Sequence, residues 1–324
     1  MLRCFDKFIK SPPKFDPDFQ VFLPFTAVLQ IPMSYSNGLA ILVNHKVNDE
    51  FRKIFAVWSS FLSSPESSSV LTEDKDGWLG PIAMERMPDF RDTFVCDPTK
   101  PHWGFDCWNH FFSRKLQTHA RPVGSPHDSS IITSACESKV LRQSRNVKVR
   151  DQFWLKSQPY SLVHLLNDPL ASSFVEGTIY QAFLCAFDYH RWHSPVDGTI
   201  VKTHLVEGTY FAGIPTNVPP SVEQEGFHEH QEFLAHVATR ALIFIQADDD
   251  RIGPMCFIAV GMVEVSNCTI TVQPAQRVRK GQEIGTFNFG GETHCSVFGP
   301  HVKLEFLNKV DDRAEVRSAI ARVL

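Results

Sequence analysis

No C-x-x-C pair occurs among the eight cysteines, Cys4, Cys96, Cys107, Cys136, Cys185, Cys256, Cys268 and Cys295. That excludes zinc-ribbon and thioredoxin-like readings. The cysteines stand singly in apolar stretches such as Phe183-Leu184-Cys185-Ala186, so they read as reduced, buried thiols that act as small hydrophobes. No apolar run approaches the ~18 residues a membrane helix needs. The first residues show neither an apolar signal core nor a small-residue cleavage site. A soluble, cytoplasmic protein with no integral membrane segment is the expectation. An excess of one charge is also missing: 32 Lys and Arg face 36 Asp and Glu, a net charge of -4. Without a basic surplus to neutralise phosphates, nucleic acid is not an expected partner.

What is present is a chain of 324 residues, 43% hydrophobic and 21% charged, rich in Phe (27) and Pro (21) and poor in Tyr (5). That composition is globular and turn-rich. Residues 20–65 read as helical, with Phe51, Ile54, Phe55, Trp58, Phe61 and Leu62 on one face, Asn48 as the N-cap and Ser63-Ser64-Pro65 as the stop. A second helical stretch is read from Trp103 to Leu116, with Phe105, Trp108, Phe111 and Phe112 as a core stripe. Pro122 to Ser130 forms a joint. Beyond it the pattern changes to short strands over Ile131–Val140, Leu184–Tyr189, Gly198–Leu205, Ala241–Gln246, Phe257–Val265 and Cys268–Val272. Asp248-Asp249-Asp250 reads as a hairpin turn with solvated charges. His228, Glu229, His230 and His236 read as a surface loop. The expected fold class is α+β: an N-terminal helical domain, 1–121, then a β-rich sandwich or barrel core, 122–324.

Two segments carry candidate chemistry. In Asp188-Tyr189-His190-Arg191-Trp192-His193-Ser194-Pro195-Val196-Asp197-Gly198, two histidines and two carboxylates crowd between a strand and a turn. Histidine titrates near neutrality and serves as general acid or base. In Phe289-Gly290-Gly291-Glu292-Thr293-His294-Cys295, the paired glycines permit unusual backbone angles. Glu292 and His294, two apart, share a face if the segment is a strand.

Together these segments resemble the phosphatidylserine decarboxylase family. The first is similar to its DYHRxHxPxDG motif and the second to its C-terminal GGST processing motif. Further likeness lies in Asn109 to Leu116, in Ala120-Arg121-Pro122, in Tyr160-Ser161-Leu162, and from Ala238-Thr239-Arg240 to Val260-Gly261-Met262. The N-terminal region, with Val47-Asn48 and Gly77-Trp78-Leu79, is similar to the extra domain of soluble fungal members, one branch of which decarboxylates tryptophan. The resemblance implies a processing Ser that cuts the chain and leaves a pyruvoyl group, which binds the substrate amine and accepts its electrons. It also implies that His193 assists processing and that His190 faces the substrate.

Here the Ser position holds Glu292, which has no β-hydroxyl. The family's processing Asp aligns with Glu137. No pyruvoyl cofactor is therefore expected, and the chain is expected to remain uncut. Thr293 and Cys295 offer a hydroxyl and a thiol, but out of register with the cut. No lysine neighbours the histidine motif in sequence as a substitute amine. The leading expectation is a lyase-family enzyme repurposed for acid–base chemistry on a small molecule of secondary metabolism. The reaction would be a decarboxylation, elimination, isomerisation or cyclisation, or hydrolysis. His190, His193 and Glu292 would be catalytic, with Glu137, Asp188, Thr293 and His294 in support. Two alternatives stand beside it. One is a non-catalytic binding or regulatory protein that pairs with an active paralogue; in either case a homo-oligomer is an expected assembly. The other is a metal site built from His190, His193, Glu292 and His294.

Overall fold

The computed structural model describes residues 2–16, 23–150, 161–212, 231–261, 263–265, 267–289 and 293–324. Within these, helices come first: α1 (Leu2–Phe8), α2 (Pro24–Met33), α3 (Ser36–Leu42), α4 (His45–Leu62), α5 (Pro81–Arg86), α6 (Phe90–Thr93) and α7 (Trp108–Phe112). α8 (Leu162–Leu166) and α9 (Gln231–Val237) lie among the strands.

The helical stretch read over 20–65 holds three helices among its described residues. The chain breaks after α2, which carries Pro32 in its last turn, and again at Val43-Asn44. A proline removes a backbone donor and kinks the helix it enters. The N-cap of α4 is Asn44, whose side chain accepts from the Lys46 N–H at 3.0 Å, and not Asn48. Asn48 is buried one turn in, where its amide donates to the Leu42 carbonyl and accepts from the Tyr210 N–H. The aromatic stripe of α4 is nonetheless core, since Phe51, Phe55, Trp58 and Leu62 are all buried. The stretch read from Trp103 to Leu116 is helical only over α7, with a short 3-10 turn at Pro101–Gly104 before it.

The strands are β1 (Ile131–Thr133), β2 (Ser138–Arg145), β3 (Thr178–Phe183), β4 (Arg191–His193), β5 (Gly198–Val206), β6 (Arg240–Ala247) and β7 (Pro254–Val260). They continue as β8 (Asn267–Ile270), β9 (Arg277–Val278), β10 (Glu283–Asn288), β11 (Thr293–Phe298), β12 (Leu304–Phe306), β13 (Arg313–Ala314) and β14 (Ala319–Val323). An eight-stranded sheet runs β13-β2-β3-β11-β7-β6-β5-β9, and two three-stranded sheets run β1-β14-β12 and β4-β10-β8. Every named pairing is antiparallel. The α+β expectation is met, with corrections to the strand limits. Residues 134–137 interrupt the strand read over 131–140. Leu184–Tyr189 is a turn, and the strand is β3 just before it. The strand read to Val265 ends at Val260, with a 3-10 turn at Val263–Val265.

The large sheet is buried on both faces. Ile243, Ile245, Met255 and Phe257 point into the main core, while Leu242, Phe244, Cys256 and Ile258 point into a second layer with α8 and α9. That is period-two alternation with apolar residues in both phases. The main core is continuous from the N-terminal helices to the β-strands. Phe25, Trp58, Trp78 and Trp108 belong to the same cluster as Trp192, Phe257 and Phe287. One buried carboxylate ties the two parts: Glu264 accepts from the Phe25 N–H at 2.9 Å and from the Thr26 N–H and hydroxyl at the start of α2.

Two further readings are corrected. His236 is buried, accepting the Ser161 N–H at 3.0 Å, and so is no loop residue; His228, Glu229 and His230 lie outside the described residues. The Asp248–Asp250 segment is the expected turn between β6 and β7. Two of its charges are paired, however: Asp248 with Arg277 at 2.5 Å and Asp249 with Arg251 at 2.6 Å. None of the eight cysteines is in a disulfide; Cys136, Cys256 and Cys295 are buried and Cys4 is exposed.

Candidate active site

The motif Asp188–Gly198 begins in the turn after β3. Asp188 closes that turn by accepting the Cys185 N–H at 2.7 Å, and its other oxygen pairs with Arg313. Burial pushes the Asp188 carboxyl up, with the Arg313 charge opposing. Arg114, fully buried, donates to the carbonyls of Phe187 at 2.6 Å and Asp188 at 2.8 Å and lies 4.4 Å from the Phe94 ring centre. Asp188 is therefore a turn organiser.

His190 and His193 share a chain segment but not a neighbourhood. Residues three apart in extended chain point to opposite sides. His190 stacks on Phe112 of α7, ring centres 3.9 Å apart, and its carbonyl accepts the Phe287 N–H at 2.9 Å. Burial and the nearby Arg114 charge hold its imidazole well below the usual range. On the other side, His193 has Nδ1 2.8 Å from the Gly281 carbonyl and Nε2 3.0 Å from the Tyr189 hydroxyl. A carbonyl can only accept, so we assign the proton to Nδ1, and Nε2 accepts from the phenol. Arg317 Nε, 3.2 Å from that Nδ1, accordingly donates to the Gly281 carbonyl at 3.0 Å. Burial, with the Arg317 charge, lowers His193 to about 3.

Glu137 is the last residue of the break between β1 and β2. It forms a two-pronged pair with Arg121, both contacts 3.0 Å. The backbone still joins it to the histidine segment, because the His193 N–H donates to the Ala135 carbonyl at 2.8 Å. The direct partners of the His193 ring are a carbonyl and a phenol, and that of Glu137 is a guanidinium.

Gly290, Gly291 and Glu292 lie outside the described residues. Their flanks are anchored. The Phe289 carbonyl accepts from the Trp108 indole at 3.4 Å, and the Thr293 hydroxyl donates to the Ala182 carbonyl at 2.9 Å. His294 is fully buried on β11, its Nε2 3.2 Å from the Ser138 hydroxyl and its ring between Tyr180 and Phe257. Burial lowers its imidazole to about 3. Among the described residues no three His, Cys, Asp or Glu side chains stand together as metal ligands; His190, His193 and His294 occupy separate environments.

Sequence reasoning passed over four neighbours. Tyr189 and Arg317 contact His193. Ser138 meets His294. Lys280 does adjoin the motif in space: its N–H donates to Asp197 at 3.0 Å, and it precedes Gly281. Its ammonium is committed to the carbonyls of Ser125, Asp128 and Ile131, at 2.9, 2.7 and 3.0 Å. Tyr189 lay within the motif itself, but spacing gave no signal for Lys280 or Arg317, which lie some 90 and 120 residues away in sequence. A recess of about 240 Å³ opens beside Lys280 and Asp197, and another of about 300 Å³ near Glu73 and Trp103. Neither is lined by His190 or His193.

Comparison with known proteins agrees with this architecture. A phosphatidylserine decarboxylase family model matches residues 108–322, and a second phosphatidylserine decarboxylase model matches residues 1–87. The chain is 39% identical to decarboxylase iboD of Amanita muscaria, over 98% of this chain and 99% of that one. It is 33% identical to an L-tryptophan decarboxylase of Psilocybe cubensis, over 90% of this chain and 71% of that one. A phosphatidylserine decarboxylase proenzyme of Chlamydia pneumoniae is 31% identical over 83% of each. No helix among the described residues is long and apolar enough to cross a membrane. Fold, motif and relatives agree, and the chain belongs to the phosphatidylserine decarboxylase family, an enzyme family of decarboxylase kind.

Proposed function

We propose that this protein is an uncut, pyruvoyl-free member of its family that acts on a small, soluble carboxylic acid of secondary metabolism. The observation that carries the reading is Glu292 at the position where the family's cut requires a serine. A glutamate cannot form the ester from which a pyruvoyl group is eliminated. The adjacent hydroxyl does not replace it, since Thr293 is turned to the Ala182 carbonyl across the sheet. The residues thus do not fit the cofactor.

The chemistry left is proton transfer on a substrate that brings its own electron sink. In a β-keto acid the bond to the carboxylate breaks, the electron pair passes into the neighbouring carbonyl, and the resulting enolate takes a proton at carbon. Glu292 is the proton donor in this scheme. His193, neutral through burial, holds Tyr189 in place, and His190 forms an uncharged wall on Phe112. The relatives named decarboxylase iboD and L-tryptophan decarboxylase support a decarboxylation within secondary metabolism.

Intact mass and a denaturing gel test the proposal. One uncut chain of 324 residues is the expected result. Two fragments, the smaller with a blocked N-terminus, would refute it. With a substrate in hand, Glu292→Gln and His190→Ala are both expected to lose turnover; undiminished rates in both sink the catalytic assignment.

A second reading has one observation in its favour. His190 and His193 are 0% and 1% exposed, sealed as a structural pair would be. A non-catalytic member that pairs with an active paralogue would need no more. Capture of such a paralogue by the purified chain, with no turnover by the chain alone, would favour it.

A further inference from the structure

Five arginines surround the histidine motif, and four are occupied. Arg121 carries Glu137 and, at 3.6 Å, Glu315. Arg191 carries Glu283 at 2.7 Å, and Arg313 carries Asp188. Arg114 is spent on the carbonyls of Phe111, Phe187 and Asp188. Arg317 is different. Its Nε donates to the Gly281 carbonyl and stands 3.2 Å from His193 Nδ1, and among the described residues no hydrogen bond or ion pair engages its two terminal nitrogens. No carboxylate of those residues stands within ion-pair distance of it. The residue is partly exposed.

The backbone fixes where this guanidinium stands. Arg317 has φ +69°, a left-handed conformation that costs a non-glycine residue energy. It is held there by two backbone bonds, its N–H to the Ser134 carbonyl at 2.9 Å and its carbonyl to the Gly124 N–H at 2.8 Å. Nε is fixed on Gly281, which leaves the edge with both terminal nitrogens free beside His193. Paired N–H groups in one plane match the two oxygens of a carboxylate. The nearby Lys280 cannot serve the same end, because three carbonyls already take its ammonium.

We propose that Arg317 is the carboxylate-binding residue of this site and recognises a small acid beside His193. The inference rests on the small-acid reading above and supplies the group that selects such a substrate. Arg317 engages the ligand directly, and Gly281 orients its guanidinium.

Nitrogen-15 NMR of the full chain, titrated with acetate, tests this without turnover. The expected result is a saturable shift of the Arg317 Nε–H and His193 ring signals, absent with chloride at equal ionic strength. Arg317→Gln should weaken the His193 response at least about tenfold, the loss of one charge-assisted pair, with the amide spectrum otherwise retained. Arg317→Lys, which keeps the charge but not the fork, should recover only part. A response equal in wild type and Arg317→Gln, or one reproduced by chloride, overturns the assignment. So does an equal response to inorganic phosphate, which would mark a site for any oxyanion. Mass measured on the same sample shows separately whether the chain is uncut, so the two readings fail independently.

Discussion

Nδ1 of His193 stands 2.8 Å from the carbonyl oxygen of Gly281, a neutral acceptor where an acid–base pair would have a carboxylate. The carboxylate nearest in function, Glu137, is held by Arg121 instead. The side chains that would assist a cut are thus committed elsewhere, and that has consequences beyond residue 292.

Restoring the missing hydroxyl is not expected to restore the cut. In a Glu292→Ser variant, His193 stays hydrogen-bonded to Gly281 and Tyr189, and Glu137 stays paired with Arg121. The expected outcome on a denaturing gel and by mass is one chain after prolonged incubation. Appearance of two fragments would show that the hydroxyl alone was lacking.

Stability should fall on acidification below about pH 6.5. His193 and His294 are lowered to about 3 in the folded protein, and His190 well below its ordinary value, all by burial. Between about 3 and 6.5 the unfolded chain binds the protons that the folded chain refuses, so stability rises with pH through that window and is fully present above it. Urea midpoints measured from pH 7.5 to 4.5 check the slope.

Glu264 opposes that slope. Burial raises its carboxyl to about 7, so between about 4.5 and 7 the folded chain holds the extra proton and stability falls as pH rises. Removing this group in Glu264→Gln should make the acid loss steeper in the same urea series. An unchanged slope would mean that Glu264 is ionised throughout.

Arg114→Met should cost about 3 kcal/mol, because it leaves the Phe187 and Asp188 carbonyls buried without a donor. Calorimetric or denaturant unfolding reads the loss. The same change frees the turn that carries His190, so the His190 ring signal should broaden or move.

Gly285 pairs with Trp192 across β4 and β10, and a Cβ there would meet the indole ring at 2.3 Å. Gly285→Ala should cost about 1–3 kcal/mol by overpacking. It should also change the fluorescence of a tryptophan that is otherwise fully buried. No change in either would mean that the ring gives way freely.

Much of this protein was legible in its residues. The alternation of β6 and β7, the aromatic face of α4 and the turn at Asp248–Asp250 are local patterns, fixed by periodicity and turn chemistry over a few residues. The motif around His190 and His193 and the Glu at 292 were legible too, because residue type and spacing within one segment carry that information. Helix limits were not, since Asn44 and Asn48 are equally good caps in sequence; in the fold Asn44 accepts the Lys46 N–H, while Asn48 accepts the distant Tyr210 N–H. Nor was the separation of the two histidines into different surroundings. That follows from Phe112 arriving on one side and Gly281, Tyr189 and Arg317 on the other. Such partners lie up to 124 residues apart in the chain. They are chosen by sheet register and core packing, which no short window of sequence contains. By itself, then, the sequence determined the family, the core pattern and the loss of the serine. Tertiary structure alone decided that Glu137 pairs with Arg121, that Lys280 is buried on carbonyls, and that the Arg317 guanidinium beside His193 has no ion pair among the described residues.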